Sequence, residues 1–375
     1  MTLTDDQRML QDSVAPLMAD EGSIKTQLRH WRDTGCKDGF GHGLWKQFAE
    51  LGLTGILIPE AQGGAGLGMV EAGVVLEEVG RNLTPSPFLT TAVAAVRALE
   101  GSAQAERWFP GIVAGETIAA LAVDEGKHHD PAAVALEAKR SGNGFSLSGT
   151  KQFVVHGASA DLILVAARTA GSAGERDGIT LFAIPKDAAG LGIDNVALAD
   201  ASKAARLTLA NVAVDADAVV GEVDGGWGPL SRALSAGRAG AAAELVGVAA
   251  GASALTFDYL KQRQQFGKYI GEYQALQHRA AHLYGEIEIA RAAALKAAQL
   301  LDAGDARSDL FVSVAKAKAA RVAALSVQEG VQMHGGIGMT DEHDIGLYMK
   351  REAVLSELFG GSRFHTGEVA RLSGY

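Results

Sequence analysis

The hydrophobic pattern of this 375-residue chain changes its period twice, and that change limits the folds open to it. Up to about residue 116 apolar residues recur at helical spacing, and a capping box formed by Thr4 and Gln7 begins the first helix. From about residue 117 to 222 the apolar runs are short, often β-branched, and bounded by Gly, Asp and Asn, which is typical of strands. From residue 223 onward the pattern is helical again and rich in alanine.

Helical crossovers do not separate the predicted strands of the middle part, which disfavours a doubly wound dinucleotide fold because that fold alternates strands with helices. We therefore predict an α+β multidomain chain. It has an N-terminal helical domain over residues 1–116, a β-sandwich or barrel domain over 117–222, and a helical bundle over 223–375. Long helices with two apolar faces must bury both, so the bundle also predicts an oligomer.

Composition narrows the function classes. A net charge of -10 argues against nucleic acid as a partner, since no basic field would attract phosphates. The single Cys36 excludes both an intrachain disulfide framework and a thiolate metal site, and we predict no metal. The N-terminus lacks a signal pattern, and no uncharged apolar run of about 18 residues suggests a membrane span. These features predict a cytoplasmic protein with no membrane contact.

A polar break interrupts the C-terminal helices at Gln262-Arg263-Gln264-Gln265-Phe266-Gly267-Lys268. Glycine is expected to end one helix at Gly267, and the next begins near Glu272. Arg263 can fork onto a phosphate, and Gln274, Gln277 and His278 can donate or accept hydrogen bonds beside it. The pattern favours a ligand with a pyrophosphate, although an ordinary helical hairpin with a polar elbow has the same residues.

Helical, β and helical domains in this order, together with four groups of motifs, resemble the acyl-CoA dehydrogenase family of flavoproteins over nearly the whole chain. The two specific motifs are Arg263-Gln264-Gln265-Phe266-Gly267 and Gln332-Met333-His334-Gly335-Gly336-Ile337-Gly338. The supporting groups are Leu51-Gly52-Leu53 with Pro59-Glu60 and Gly63-Gly64, and Gly149-Thr150-Lys151 with Gly157.

The resemblance implies an extended FAD between the β domain and the bundle, reaching a neighbouring subunit. It implies that Arg263 and Phe266 contact the diphosphate and adenine end, joined by Gln332, Gly335 and Gly336 from the facing chain. Consecutive glycines suit this role because they let backbone amides approach a phosphate closely. Further contacts to the cofactor are expected from Gln265, Gln274, Gln277, Phe153 and Val155.

Two stretches depart from the family pattern. Beside the flavin ring the family commonly has a Trp followed by a hydroxyl residue, whereas this chain has Phe153, Val155 and His156. Phe153 can still stack on the ring, but the flavin N5 side loses a side-chain donor. The segment from Asp124 to Asp130 replaces a Ser-bearing loop that in the family usually lies near the flavin and the CoA phosphates.

The reaction that the resemblance implies is α,β-dehydrogenation of an acyl-CoA thioester, in which a carboxylate removes the α proton. The family places this Glu in one of two positions, which here hold Phe359 and Gly237. Glu244 lies two helical turns after Gly237 and is a candidate base, with Arg238 beside it. A helix carboxylate paired with Arg238 or another basic group explains Glu244 better than a catalytic role does, and Glu357 is displaced by one residue.

Three functional alternatives stay open at this point. The chain resembles the small subunits of bacterial heteromeric acyl-CoA dehydrogenases, in which a base-bearing homologue completes the site. A flavin monooxygenase of the same fold would use His365 or His156, which are otherwise surface or capping residues. A non-catalytic supporting subunit is the third. The expected partners are an acyl-CoA substrate, an electron acceptor such as an electron-transfer flavoprotein, and either identical subunits or a homologous one in a tetramer.

Overall fold

The computed structural model describes residues 2–375 and resolves into two compact units. The helical unit comprises residues 2–30, 69–85 and 238–375, and the sheet unit comprises residues 31–68 and 86–237. The fold class predicted from the sequence is confirmed, since helical regions flank a middle sheet. The numbered limits of the three predicted domains stay a prediction.

Eleven α-helices lie within residues 2–375, and several match segments whose helical spacing is evident in the sequence. In chain order they are α1 (Asp5–Asp20), α2 (His30–Asp33), α3 (His42–Glu50), α4 (Met69–Arg81), α5 (Val96–Leu99), α6 (Ala103–Val113), α7 (Trp227–Gln262), α8 (Gln274–Asp302), α9 (Ser308–His334), α10 (Ile345–Glu357) and α11 (Ser362–Leu372). The predicted capping box of α1 is present, with the Thr4 hydroxyl and the Gln7 side chain each bonded to the other residue's amide.

One mostly antiparallel sheet forms the centre of the sheet unit. Its strands are β1 (Ala119–Ala122), β2 (Glu137–Ser141), β3 (Gly144–Val155), β4 (Leu162–Arg168), β5 (Ile179–Pro185), β6 (Leu191–Ala197), β7 (Lys203–Val214) and β8 (Val219–Val220). The order is β6-β7-β3-β2-β4-β5-β8, with β1 pairing β4 in parallel. All seven residues of β4 are buried, which explains why the first six form a continuous apolar run instead of an alternating pattern.

Within the helical unit, α4 and α7 approach so closely that glycine is required at their crossing. A Cβ at Gly80 would overlap the carbonyl oxygen of Glu244, and one at Gly247 would overlap that of Glu77. Gly251 faces the Arg81 carbonyl, which also accepts a 2.6 Å hydrogen bond from the Tyr348 hydroxyl. Backbone contact therefore replaces side-chain packing at this crossing.

Helix α7 is long and apolar enough to cross a membrane by length and composition alone. Its most apolar 18-residue stretch is 83% buried inside the fold, as expected of a core helix. Glu244 lies within that stretch, so the stretch is not an uncharged apolar run.

Candidate functional site

The polar break after α7 is a β-hairpin instead of a helical elbow. Helix α7 ends at Gln262, and two short antiparallel strands, β9 (Gln264–Gln265) and β10 (Lys268–Tyr269), follow it. Phe266 and Gly267 form the turn with φ values of 51° and 82°, and the Phe266 side chain is 93% exposed. The hairpin thus presents an aromatic ring at its tip.

Side chains next to the hairpin fix its shape. Lys268 lies over the Tyr273 ring at 4.1 Å, and the Tyr273 hydroxyl donates to the Gln265 carbonyl at 3.3 Å. The Gln277 amide donates to the Gly271 carbonyl at 2.9 Å, so this predicted ligand residue also supports the turn. Arg263 is exposed at the base of the hairpin. A fixed hairpin with an exposed guanidinium suits an anionic ligand.

The second specific motif covers the end of α9 and the turn that follows it. The Gly335–Met339 turn follows His334, and Gly335 has a φ of 64°. A Cβ built at Gly335 or Gly336 would meet nothing within 4 Å, so neither glycine is demanded by packing inside this chain. Gln332 is exposed beside them. Glycines that face open space leave their amides accessible to a ligand.

An aromatic stack joins the two motifs within the helical unit. The Tyr259 ring lies 4.4 Å from the His334 ring, and His334 lies 4.2 Å from His343. Tyr259 is four residues before Arg263, and the Arg263 amide donates to the Tyr259 carbonyl at 2.9 Å. Burial lowers the pKa of His334, which favours the neutral form of its ring in the stack. The hairpin and the glycine turn therefore begin at the same stack.

The sheet unit places Phe153 at an irregularity in β3. The pairing of β3 with β7 shifts register between Lys151 and Val154, and Phe153 has a φ of 56° and is 40% exposed. The bulge turns Phe153 toward solvent while Val155 stays buried. His156 also has a positive φ, 58°, and its Nδ1 lies 3.0 Å from the Thr90 hydroxyl.

The segment from Asp124 to Asp130 is held by its own chain. The buried ammonium of Lys151 donates to Glu125 at 2.6 Å and to the Val123 carbonyl at 2.8 Å. Asp124 accepts from His129 Nδ1 at 2.9 Å. Burial lowers the pKa of Lys151 and the Glu125 carboxylate opposes that change. The carboxylates that replace the expected serine therefore have structural partners.

The loop at the first expected base position carries a buried phenyl ring. Phe359 has a φ of 60° and is 9% exposed. Its carbonyl accepts from Arg238 Nε at 3.2 Å and lies 3.2 Å from His365 Nε2, and Arg238 also lies over the Phe364 ring at 5.2 Å. Arg238 thus fixes the loop backbone, and no carboxylate occupies position 359.

Lys316 of α9 also holds the Phe359 loop, and the sequence analysis did not predict this role. Its ammonium is fully buried and donates to the carbonyls of Leu355, Ser356 and Gly360 at 3.2, 2.8 and 3.3 Å. Burial lowers its pKa to about 7, although the Glu357 carboxylate opposes this. A lysine at an apolar position of an alanine-rich helix was the signal available in the sequence.

The candidate base Glu244 is paired. Its side chain is 2% exposed, and Arg351 of α10 donates to its Oε1 from Nε at 3.0 Å and from Nη2 at 2.5 Å. The basic partner is therefore Arg351 and not the neighbouring Arg238. Glu357 is exposed, and its carboxylate lies against Gly361 at the N-terminus of α11, where a negative charge is favourable.

Three models of acyl-CoA dehydrogenase domains match the chain in sequence order: the N-terminal domain over residues 4–116, the middle domain over 119–212 and the C-terminal domain over 224–373. The chain therefore belongs to the acyl-CoA dehydrogenase family. Members of this family are FAD flavoproteins and oxidoreductases that act on CH–CH bonds, and FAD is the cofactor of this chain.

Three relatives illustrate the similarity. Cyclohex-1-ene-1-carbonyl-CoA dehydrogenase of Syntrophus aciditrophicus is 30% identical, with 99% of this chain and 89% of the relative covered. A variant of the Tcur3481-Tcur3483 steroid ACAD superposes with a TM-score of 0.88 at 32% identity, covering 99% of this chain and 98% of that one. The ChsE4-ChsE5 complex of Mycobacterium tuberculosis gives a TM-score of 0.89 at 25% identity, with 100% and 99% covered.

Each unit contains residues that fit part of FAD. The helical unit offers the exposed Arg263 and the open glycines Gly335 and Gly336, which suit a diphosphate. The sheet unit offers the half-exposed Phe153, whose ring can stack on a planar heterocycle. The proposed monooxygenase histidines are both buried, with His365 fully so.

Proposed function

We propose that this chain is the base-lacking subunit of a heteromeric FAD-dependent acyl-CoA dehydrogenase. The observation that carries the proposal is the loop at Phe359, in which a buried phenyl ring takes the position of the expected carboxylate. Lys316, Arg238 and His365 hold that loop by hydrogen bonds to its carbonyls. The loop is therefore fully formed around a residue that cannot accept a proton.

The other candidate carboxylates do not compensate. Glu244 must keep its charge to remain paired with the Arg351 guanidinium, and a base that accepts the α proton would lose that pairing in a buried site. Glu357 serves the N-terminus of α11. Gly237, at the second base position, has no side chain to offer. We therefore propose that the carboxylate that removes the α proton comes from another polypeptide.

The cofactor-binding residues have a purpose in this assembly. We propose that Arg263, Phe266, Gln332, Gly335 and Gly336 complete flavin sites across a subunit interface. The bound flavin supplies the hydride acceptor, while this chain's contribution is to bind and orient its diphosphate. Gln265, Gln274, Gln277, Phe153 and Val155 are proposed as further contacts.

The choice of a heteromer is supported by two relatives whose names describe assemblies of two different chains, ChsE4-ChsE5 and Tcur3481-Tcur3483. We propose a heterotetramer in the cytoplasm with three domains near 1–116, 117–222 and 223–375. It acts on an acyl-CoA from fatty acid or sterol side-chain breakdown and passes electrons to a carrier such as an electron-transfer flavoprotein.

Anaerobic reduction of the flavin tests the proposal. The chain is purified alone and after co-expression with a homologue that carries Glu at one of the two base positions, and each preparation is mixed with acyl-CoA. We expect the visible flavin absorbance to bleach only in the co-expressed complex. Bleaching by the chain alone would refute the proposal. Oxygen uptake with consumption of reduced nicotinamide would instead establish the monooxygenase.

A gain-of-function variant tests the role of position 359 directly. Phe359→Glu places a carboxylate on a loop already held by Lys316 and Arg238. The variant is combined with a partner whose own base has been removed, and we expect its flavin to be reduced about 10²-fold or more faster than in the same complex with Phe359. Phe359→Gln is the matched control, because glutamine has the size of glutamate but no carboxylate. Equal rates in the two variants would show that position 359 does not face the substrate.

A further inference from the structure

A cavity of about 490 Å³ lies within the helical unit between α1, α4, α7 and α8. Its volume is within the range of small-molecule sites. Twelve of its seventeen lining residues are apolar, and half of these are glycine or alanine. The apolar lining consists of Leu3, Met69, Val70, Gly73, Val74, Ala239, Ala243, Val246, Ala292, Ala294, Leu295 and Ala298.

This cavity is separate from the site proposed for acyl-CoA. Its lining residues on α7 are Ala239, Ala243 and Val246, whereas the second base position is Gly237. At about 100° per residue, the three lining residues lie roughly 180–240° around the helix from position 237. They therefore occupy the opposite face of α7, and the proposed dehydrogenation does not use them.

The small residues here leave space instead of allowing backbones to touch. A Cβ at Gly73 would meet only the Ala243 Cβ, at the ordinary contact distance of 3.7 Å. By contrast, Gly80 and Gly247 nearby are required because their Cβ atoms would overlap backbone oxygens. Close helix packing therefore explains Gly80 and Gly247 but not Gly73.

Charged groups close one side of the cavity, and they neutralise each other. Glu77 accepts from Arg291 Nε at 2.9 Å and from Arg81 Nη2 at 3.2 Å, and Arg291 also pairs with Glu288. Burial alone lowers the pKa of Arg291, but the Glu77 and Glu288 carboxylates outweigh it and raise that pKa. The two guanidiniums and two carboxylates of the lining have no net charge, and Arg81 also pairs with Glu78, which lies outside the lining. The remaining polar group of the lining is the neutral amide of Gln11, whose Nε2 donates to Glu78 Oε1 at 3.3 Å.

We propose that this cavity binds a small, neutral molecule that has an apolar body and at least one hydrogen-bonding group. An anion would have to compete with Glu77 for both guanidiniums, and a cation would have to compete with the guanidiniums for the carboxylates. A neutral molecule leaves this network intact, buries its apolar body against the alanines, and hydrogen-bonds to Gln11 or to the rim. The inference goes beyond the dehydrogenase function and does not depend on it.

Two fluorophores with one ring skeleton test this specificity. N-phenyl-1-naphthylamine is neutral and has one N–H group, whereas 1-anilinonaphthalene-8-sulfonate adds a negative charge. Their binding to the flavin-loaded protein is measured by equilibrium dialysis. We expect the neutral probe to bind at least tenfold more tightly. Equal or tighter binding of the sulfonate, or no binding of the neutral probe, would overturn the proposal.

Variants that fill the cavity locate the bound probe. Ala243→Leu adds three carbons from α7, and Leu295→Phe fills the same space from α8 if the first variant does not fold. Either variant is expected to weaken the binding of the neutral probe at least tenfold. Ala281→Leu is the matched control, since Ala281 is an exposed residue of α8 outside the lining. Binding that survives both filling variants would place the probe elsewhere and refute the site.

Discussion

Replacing Glu244 by glutamine distinguishes a structural carboxylate from a catalytic one. Removal of one partner of a buried ion pair costs about 3–5 kcal/mol, because the other charge stays buried. Glutamine keeps one oxygen that can accept from Arg351, and a hydrogen bond to a charged group is worth about 1.5–3 kcal/mol. The expected net loss in the free energy of unfolding is therefore about 2 kcal/mol.

Thermal unfolding and flavin reduction measure the two roles separately. For a unit of this size the loss corresponds to a decrease of about 4–8 °C in Tm. The rate of anaerobic flavin reduction by acyl-CoA in the co-expressed complex is expected to stay within about twofold, since Glu244 is paired and not catalytic in our proposal. The matched control is Arg351→Gln, and the double variant should lose less stability than the sum of the single changes.

The opposite pattern would contradict a structural role for Glu244. If Glu244→Gln keeps its Tm but slows flavin reduction about 10²-fold or more, Glu244 is the base. The chain would then carry its own proton acceptor, and a partner would no longer be needed for that step.

Two further predictions concern the helical unit. Gly247→Ala is expected to lower the free energy of unfolding by about 1–3 kcal/mol, because the added Cβ would overlap the Glu77 carbonyl oxygen. Gly73→Ala is the control and should change that free energy by less than about 1 kcal/mol, because its Cβ would meet only Ala243 at 3.7 Å. Chemical denaturation compares the two variants, and equal losses would contradict close backbone contact between α4 and α7 as the reason for Gly247. Lys316, with its pKa lowered to about 7 by burial, binds fewer protons in the folded state than in the unfolded state between pH 7 and its ordinary pKa of 10.5. The unfavourable contribution of Lys316 to the free energy of unfolding is fully present below pH 7, so the stability should rise with pH above 7, by at most about 1.4 kcal/mol per pH unit from this group. Lys316→Met should remove that rise. If the variant keeps the same dependence of stability on pH, Lys316 is not its source.

Local sequence patterns were sufficient for the fold class because they reflect the period of each element. Helical spacing in the outer parts and short β-branched runs in the middle follow directly from side-chain burial on one face of a helix or both faces of a sheet. The capping box at Thr4 and Gln7 is equally local, and both of its hydrogen bonds are present. The family motifs at Arg263 and Gly335 also belong to single short segments.

Details that depend on backbone hydrogen bonding were harder to predict. The sequence placed a helical break near Gly267, but the structure forms a β-hairpin from Gln264 to Tyr269. Two-residue strands leave too short a pattern for periodicity to detect. The stack of Tyr259, His334 and His343 likewise joins positions far apart in the chain.

Residue identity alone establishes that the two usual base positions hold Phe359 and Gly237. The roles of the neighbouring charged residues depend on how the helices pack. Glu244 meets Arg351 across 107 positions of chain, and Lys316 reaches the Gly360 carbonyl across 44. Ion pairs and buried donors are chosen by which helices pack together, and no local pattern specifies that choice.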